Sequence, residues 1–212
     1  MTFLYLARHG ETDDNANLVF QGQGGKGLNS RGRAQARRLA ERMRKARVTT
    51  IVASDLERAD ETARIVALES DLVHSVDADL REVDVGLWTG KGHAEIAELY
   101  PEEWAAWSAG VDLRRGGGET YSELALRIER AVARVVALDA RDPVLVVSHG
   151  GSIKSYVAKI LGVGPEGMLR ALAGVGNCGL TLIEIDSRAR VRLHTWNDTA
   201  HLEGLLVEEQ TD

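Results

Sequence analysis

At 212 residues, with 44% hydrophobic and 27% charged side chains, the chain is long enough to bury a sizeable core and suits one domain, 1–212, better than two. Its net charge of −6 argues against a nucleic-acid partner, so an anionic substrate must be held by a local basic cluster. The single cysteine, Cys178, excludes an internal disulfide, and no apolar run approaches the roughly 20 residues of a membrane span, so a cytoplasmic protein with no membrane partner is expected.

The first predicted strand is 3–7, an apolar run that stops at Arg8-His9-Gly10. A glycine-rich loop over 21–30 leads into a helix at 31–47, with Ala34, Leu39 and Met43 on one face and arginines on the other. A second strand, 50–53, ends in Ser54-Asp55-Leu56-Glu57-Arg58, and a helix follows over 57–68. Residues 80–115 read as a lid-like excursion containing Trp104 and Trp107, and Gly116-Gly117-Gly118 opens a helix at 119–138. The third strand, 144–147, ends in Ser148-His149-Gly150-Gly151 before a helix at 152–161. Runs 180–185 and 191–196 flank a turn and read as a hairpin, and the acidic tail 203–212 is expected to fray. Alternating strands and helices predict an α/β fold, a three-layer α/β/α sandwich on a mostly parallel sheet with an antiparallel edge.

In an open α/β sheet, ligands bind at the carboxyl ends of strands. Three of those ends carry Arg8 and His9, Arg58, and His149. Guanidinium groups fork onto phosphate oxygens, a neutral imidazole nitrogen can attack phosphorus, and a protonated imidazole can donate to an oxygen where charge develops. Glycine after each histidine allows the backbone close to an anion, and the helix after Gly151 aims its first amides there. The leaving oxygen needs a proton donor; Glu82 and Asp84 both offer a carboxyl, with Glu82 preferred.

These segments resemble the histidine phosphatase superfamily, also called phosphoglycerate-mutase-like. Arg8-His9-Gly10-Glu11-Thr12 with Asn15 and Gln21-Gly22, Ser54-Asp55-Leu56-Glu57-Arg58, Leu80-Arg81-Glu82 with Gly86 and Trp88, Gly117-Gly118-Glu119-Thr120 and Ser148-His149-Gly150-Gly151 occur in the family's order. The resemblance implies that His9 is the phosphorylated nucleophile, that Arg8, Arg58 and His149 bind the phosphoryl group, and that Glu82 is the proton donor. Asn15, Gln21 and the Gly150 amide become secondary contacts, Ser54 orients His9, and neither a metal nor an organic cofactor is needed. Two departures bear on the branch. The segment 23–29 lacks the family's acidic residue and proline, and Gly151 stands where the mutases carry asparagine. The second, with the short chain, favours the phosphatase branch.

The expected activity is a metal-independent phosphomonoesterase, of the histidine acid phosphatase type, acting on a small phosphorylated metabolite. Mutase-type phosphoryl transfer and a non-catalytic phosphate-binding module are the alternatives; the substrate is open, and so is a homodimer. His74, His93 and His194 have no motif around them and read as surface or satisfied positions, and Trp88, Trp104 and Trp107 as lid packing. His201 reads as structural or catalytic. Arg114-Arg115 reads either as an exposed basic turn or as a grip for a substrate carboxylate or second phosphate.

Overall fold

The computed structural model describes residues 1–205, so the tail expected to fray at 203–212 lies outside the described residues from 206 onward. Six strands form one sheet: β1 (Thr2–Arg8), β2 (Thr50–Ala53), β3 (His74–Val76), β4 (Val144–Ser148), β5 (Leu180–Ile185) and β6 (Val191–Asp198), in the order β3-β2-β4-β1-β5-β6. The pairs β3–β2, β2–β4 and β4–β1 are parallel, whereas β5 runs antiparallel to both β1 and β6. The expected mixed sheet and terminal hairpin are therefore present. β3 has no counterpart in the sequence reading, because its three residues are partly exposed and carry no apolar run.

The helices are α1 (Asp13–Ala16), α2 (Ser30–Lys45), α3 (Glu57–Ser70), α4 (His93–Leu99), α5 (Pro101–Ser108), α6 (Tyr121–Val136), α7 (Gly150–Ile160) and α8 (Pro165–Ala171). Local chemistry sets their starts. Asn29 caps α2 by accepting from the Gly32 amide at 2.8 Å. Thr120 and Glu123 form a reciprocal capping box that begins α6 at Tyr121, two residues later than its glycine run suggests.

Alternate strand residues face opposite layers, as the two-residue period of a strand demands. Leu4, Leu6, Val144 and Val146 join the cluster under α6 and α7, while Ala7, Leu145 and Val147 join that under α2 and α3. Trp88 is fully buried in the first cluster, so it belongs to the core and not to a lid; Trp104 and Trp107 pack against it from α5. Among the described residues no helix is long and apolar enough to cross a membrane.

Candidate active site

Register brings the three polar strand ends into line. Arg8 pairs with Ser148 and Ala53 with Val147, so His9, Ser54 and His149 emerge side by side. They border a cavity of about 450 Å³ lined by Arg8, His9, Asn15, Gln21, Arg58, Glu82 and Gly150 among others.

His9 is 2% exposed. Its Nδ1 lies 2.7 Å from the Gly10 carbonyl, which can only accept, so Nδ1 carries the hydrogen and Nε2 the lone pair. Arg58 Nε donates to that Nε2 at 3.2 Å, and the two Nη atoms donate to the carbonyls of Gly24 and Gly22 at 2.6 and 2.7 Å. The glycine-rich loop is thus pinned to the site by Arg58. Burial, opposed by Glu82, brings Arg58 down to about 10. Arg8 donates through Nη1 to the Val175 carbonyl at 2.8 Å, and burial lowers it too.

His149 is fully buried, its ring centroid 5.2 Å from that of His9. Its Nε2 meets Ser54 Oγ at 2.8 Å. Ser54 therefore touches His149 and not His9, because β4 lies between β2 and β1. Burial first, then Arg58, and after it Arg8 for His9 and the His9 ring for His149, hold both imidazoles well below 6.5, which in the free protein works against the protonated second imidazole expected from the sequence. An expected consequence is acid lability. Each ring binds its proton in the unfolded chain below 6.5 but not in the folded one, so stability is complete above that value and is lost as the pH falls beneath it. The melting temperature should be level above about pH 7 and drop steadily towards about pH 5; a level curve across that window would refute it. Asp55, held below 3.8 by Arg81, acts only at lower pH.

The carboxylate of Glu82, not that of Asp84, reaches the cavity. Asp84 Oδ1 instead accepts from the Gly86 amide at 2.9 Å. Glu82 Oε2 accepts from the Gly151 amide at 3.0 Å, and Oε1 from the amides of Ser152 and Val83 at 3.1 and 2.9 Å. The α7 amides expected to face an anion thus hold this side chain. A Cβ on Gly151 would lie 2.5 Å from Glu82 Oε1, which accounts for glycine there. Gly10 has a different reason from the one expected. Its Cβ would lie 2.5 Å from the Gly32 carbonyl oxygen, and its amide donates to Thr62 Oγ1 at 3.0 Å, so helix packing requires it. Asn15 Oδ1 accepts from Asn177 Nδ2 at 3.0 Å, and Gln21 Nε2 donates to Thr12 Oγ1 at 2.9 Å; both residues line the cavity.

Arg127 escaped the sequence reading altogether. From α6 it donates to the carbonyls of Asp79, Arg81 and Glu82 at 2.8, 2.9 and 3.1 Å while its fork pairs with Glu119. Removing it strands the Asp79 carbonyl and unpairs Glu119, while Ser152 Oγ still serves the Arg81 carbonyl and Gln23 Nε2 that of Glu82, so Arg127→Met should lower the unfolding free energy by about 2 kcal/mol in a urea titration. A loss below about 1 kcal/mol would mean that the loop is held by other contacts.

Further residues line the cavity without a local motif: His93, Trp107, Arg115, Tyr121 and Lys154. His93 is exposed, as expected of a surface position, and also borders the cavity; its ring lies 4.9 Å from Phe20 and 5.4 Å from Trp104. His74 and His194 pair with Asp60 and Glu184 at 2.7 and 2.9 Å, outside the cavity, as expected of satisfied polar positions. His201 lies in the turn Ala200–Leu202 and does not line it. Burial pushes the Cys178 thiol up, which removes it as a nucleophile.

Residues 4–199 match the model of the histidine phosphatase superfamily (branch 1). The chain is 36% identical over 215 residues to glucosyl-3-phosphoglycerate phosphatase of Mycobacterium tuberculosis, covering 94% of this chain and 96% of that one. It is 37% identical over 186 residues to the probable phosphoglycerate mutase GpmB of an Enterobacter species, covering 87% and 85%. The solved structure of the mycobacterial glucosyl-3-phosphoglycerate phosphatase with VO3 superposes with a TM-score of 0.86 at 35% identity, covering 94% of this chain and all of that one.

Proposed function

The chain belongs to the histidine phosphatase superfamily, branch 1, and from that premise we propose that it is a phosphomonoesterase that hydrolyses a small phosphorylated metabolite through a phosphohistidine at His9. The observation that carries this reading is the state of the His9 ring. Its Nδ1 hydrogen is committed to the Gly10 carbonyl, which leaves the Nε2 lone pair beside Arg58 at the cavity wall.

Arg8 and Arg58 take the phosphoryl oxygens, with His149, the Gly150 amide, Asn15 and Gln21 completing the cradle. His9 Nε2 attacks phosphorus as the bond to the leaving oxygen breaks, and Glu82 hands that oxygen a proton. Water then gives a proton to Glu82 and attacks the phosphohistidine. The P–N bond breaks, inorganic phosphate leaves, and both residues return to their starting states. This chemistry requires no metal, so phosphate release should continue at the same rate in excess chelator; a strong loss would overturn the metal-free route.

Hydrolysis is favoured over transfer by Gly151, which stands where the mutases of the family carry asparagine, and by the similarity to a phosphatase over nearly the whole chain. The test is to follow a panel of phosphomonoesters for free phosphate and for isomerised product, with alkaline quenching of the reaction to recover an acid-labile, base-stable phosphoprotein. Free phosphate with a labelled His9 supports the reading. Dominant isomerisation would replace it with mutase chemistry, and binding without either product would leave a phosphate-binding module.

A further inference from the structure

The cavity that holds His9 is also lined by Arg115, to which the phosphoryl chemistry gives no task. Arg115 is 2% exposed. Its guanidinium carbon lies 4.3 Å from the centroid of the Tyr121 ring, and Nη1 donates to the Tyr121 hydroxyl at 3.1 Å. Among the described residues Nε and Nη2 have no acceptor. The neighbouring Arg114, by contrast, is paired with Glu123.

Those two nitrogens are the side of a guanidinium that presents parallel N–H bonds to two oxygens of one anion. The chain itself uses that edge twice. Arg127 meets Glu119 through Nε and Nη2 at 3.0 and 2.7 Å, and Arg81 meets Asp55 through the same pair at 2.7 and 2.5 Å. A guanidinium keeps its charge, and stacking on Tyr121 compensates only part of burying it without a counter-ion. Cation excess at the cavity points the same way. Arg8, Arg58, Arg115 and Lys154 line it, and Glu82 is the carboxylate among the described lining residues. A phosphoryl dianion matches Arg8 and Arg58 and leaves Arg115 and Lys154 unmatched.

We propose that the substrate carries a second anion, a carboxylate or another phosphate, on the part that leaves as the alcohol, and that Arg115 receives it on its Nε and Nη2 edge. This rests on the phosphatase reading above and adds specificity to it. Of the two readings of Arg114-Arg115 in the sequence, the anion grip falls to Arg115.

The test compares kcat/KM within matched pairs. Phosphoserine against phosphoethanolamine, and phosphoglycerate against glycerol phosphate, isolate a carboxylate; propanediol bisphosphate against its monophosphate isolates a second phosphate. The wild type should favour the more anionic member of at least one pair by about tenfold to a hundredfold, mainly through KM, and the pair that responds names the anion. In Arg115→Gln that ratio should fall close to one, and Arg115→Lys, which keeps charge without the fork, should retain part of it. Circular dichroism checks the fold of each variant; should Arg115→Gln fail to fold, the wild-type ratios and Arg115→Lys decide. The proposal is overturned if the wild type hydrolyses nitrophenyl phosphate yet favours neither member of any pair, or if the preference survives in Arg115→Gln. Failure to release phosphate from any ester, nitrophenyl phosphate included, would overturn the phosphatase reading and this proposal with it.

Discussion

His9→Ala is expected to lower phosphate release by at least roughly four orders of magnitude, as loss of a covalent nucleophile does elsewhere. The neighbouring groups offer little in its place: Cys178 is a buried thiol held in its protonated form, Arg58 presents only donors, and His149, whose Nδ1 has no partner among the described residues, sits on another strand end with its ring centroid 5.2 Å away. The fold should survive, because the substitution removes one acceptor from Arg58 and one donor from Gly10, a loss of about 1–2 kcal/mol. Part of that is returned at acid pH, where the buried neutral ring no longer opposes folding. Stopped-assay phosphate measurements, a quenched phosphoprotein trap and a melting curve on the same preparation separate chemistry from unfolding. Retention of a hundredth or more of the wild-type rate in a folded His9→Ala protein would remove His9 from the nucleophile's role.

The half of the cavity built on the strand ends is legible in the sequence because its determinants are local. A buried parallel strand reads as an uninterrupted apolar run, so the polar residues at its end stand out, and Arg8, His9, Ser54 and His149 all lie within two residues of such an end. What the sequence does not contain is the order of the strands. Placing β4 between β2 and β1 makes Ser54 a neighbour of His149, and only the length of the Arg58 side chain, one turn further on, carries the second motif across to His9. The support of Glu82 is hidden for another reason. Periodicity in α6 reports its apolar face, whereas Arg127 acts on backbone carbonyls some 45 residues away, and a carbonyl has no residue type. The outer wall is harder still. His93, Trp107, Arg115 and Lys154 come from four separate elements and meet only in the folded chain. Strand β3 and helix α8 are too short for a periodic pattern to accumulate.

Glu82→Gln is expected to reduce kcat for alkyl phosphomonoesters by about a hundredfold to ten-thousandfold, the range for loss of a positioned acid or base. The amide keeps the volume of the carboxyl and an oxygen that can face the Ser152 and Val83 amides, so the side chain should stay in place through those bonds while giving up the one from Gly151. It has no proton to give to the leaving oxygen and takes none from water. The two half-reactions should therefore respond unequally to the leaving group. An alkoxide leaves poorly without a proton, whereas nitrophenolate leaves without help. With nitrophenyl phosphate, Glu82→Gln should form the phosphohistidine readily and then stall, because water still lacks a base. The expected sign is a burst of nitrophenol of about one equivalent per protein with phosphoprotein accumulating behind it. Gly151→Ala reaches the same group by crowding and should lower alkyl-ester turnover in the same sense. Equal losses for alkyl and nitrophenyl esters, with no burst and no accumulated phosphoprotein, would mean that Glu82 holds the loop and that the proton comes from another group.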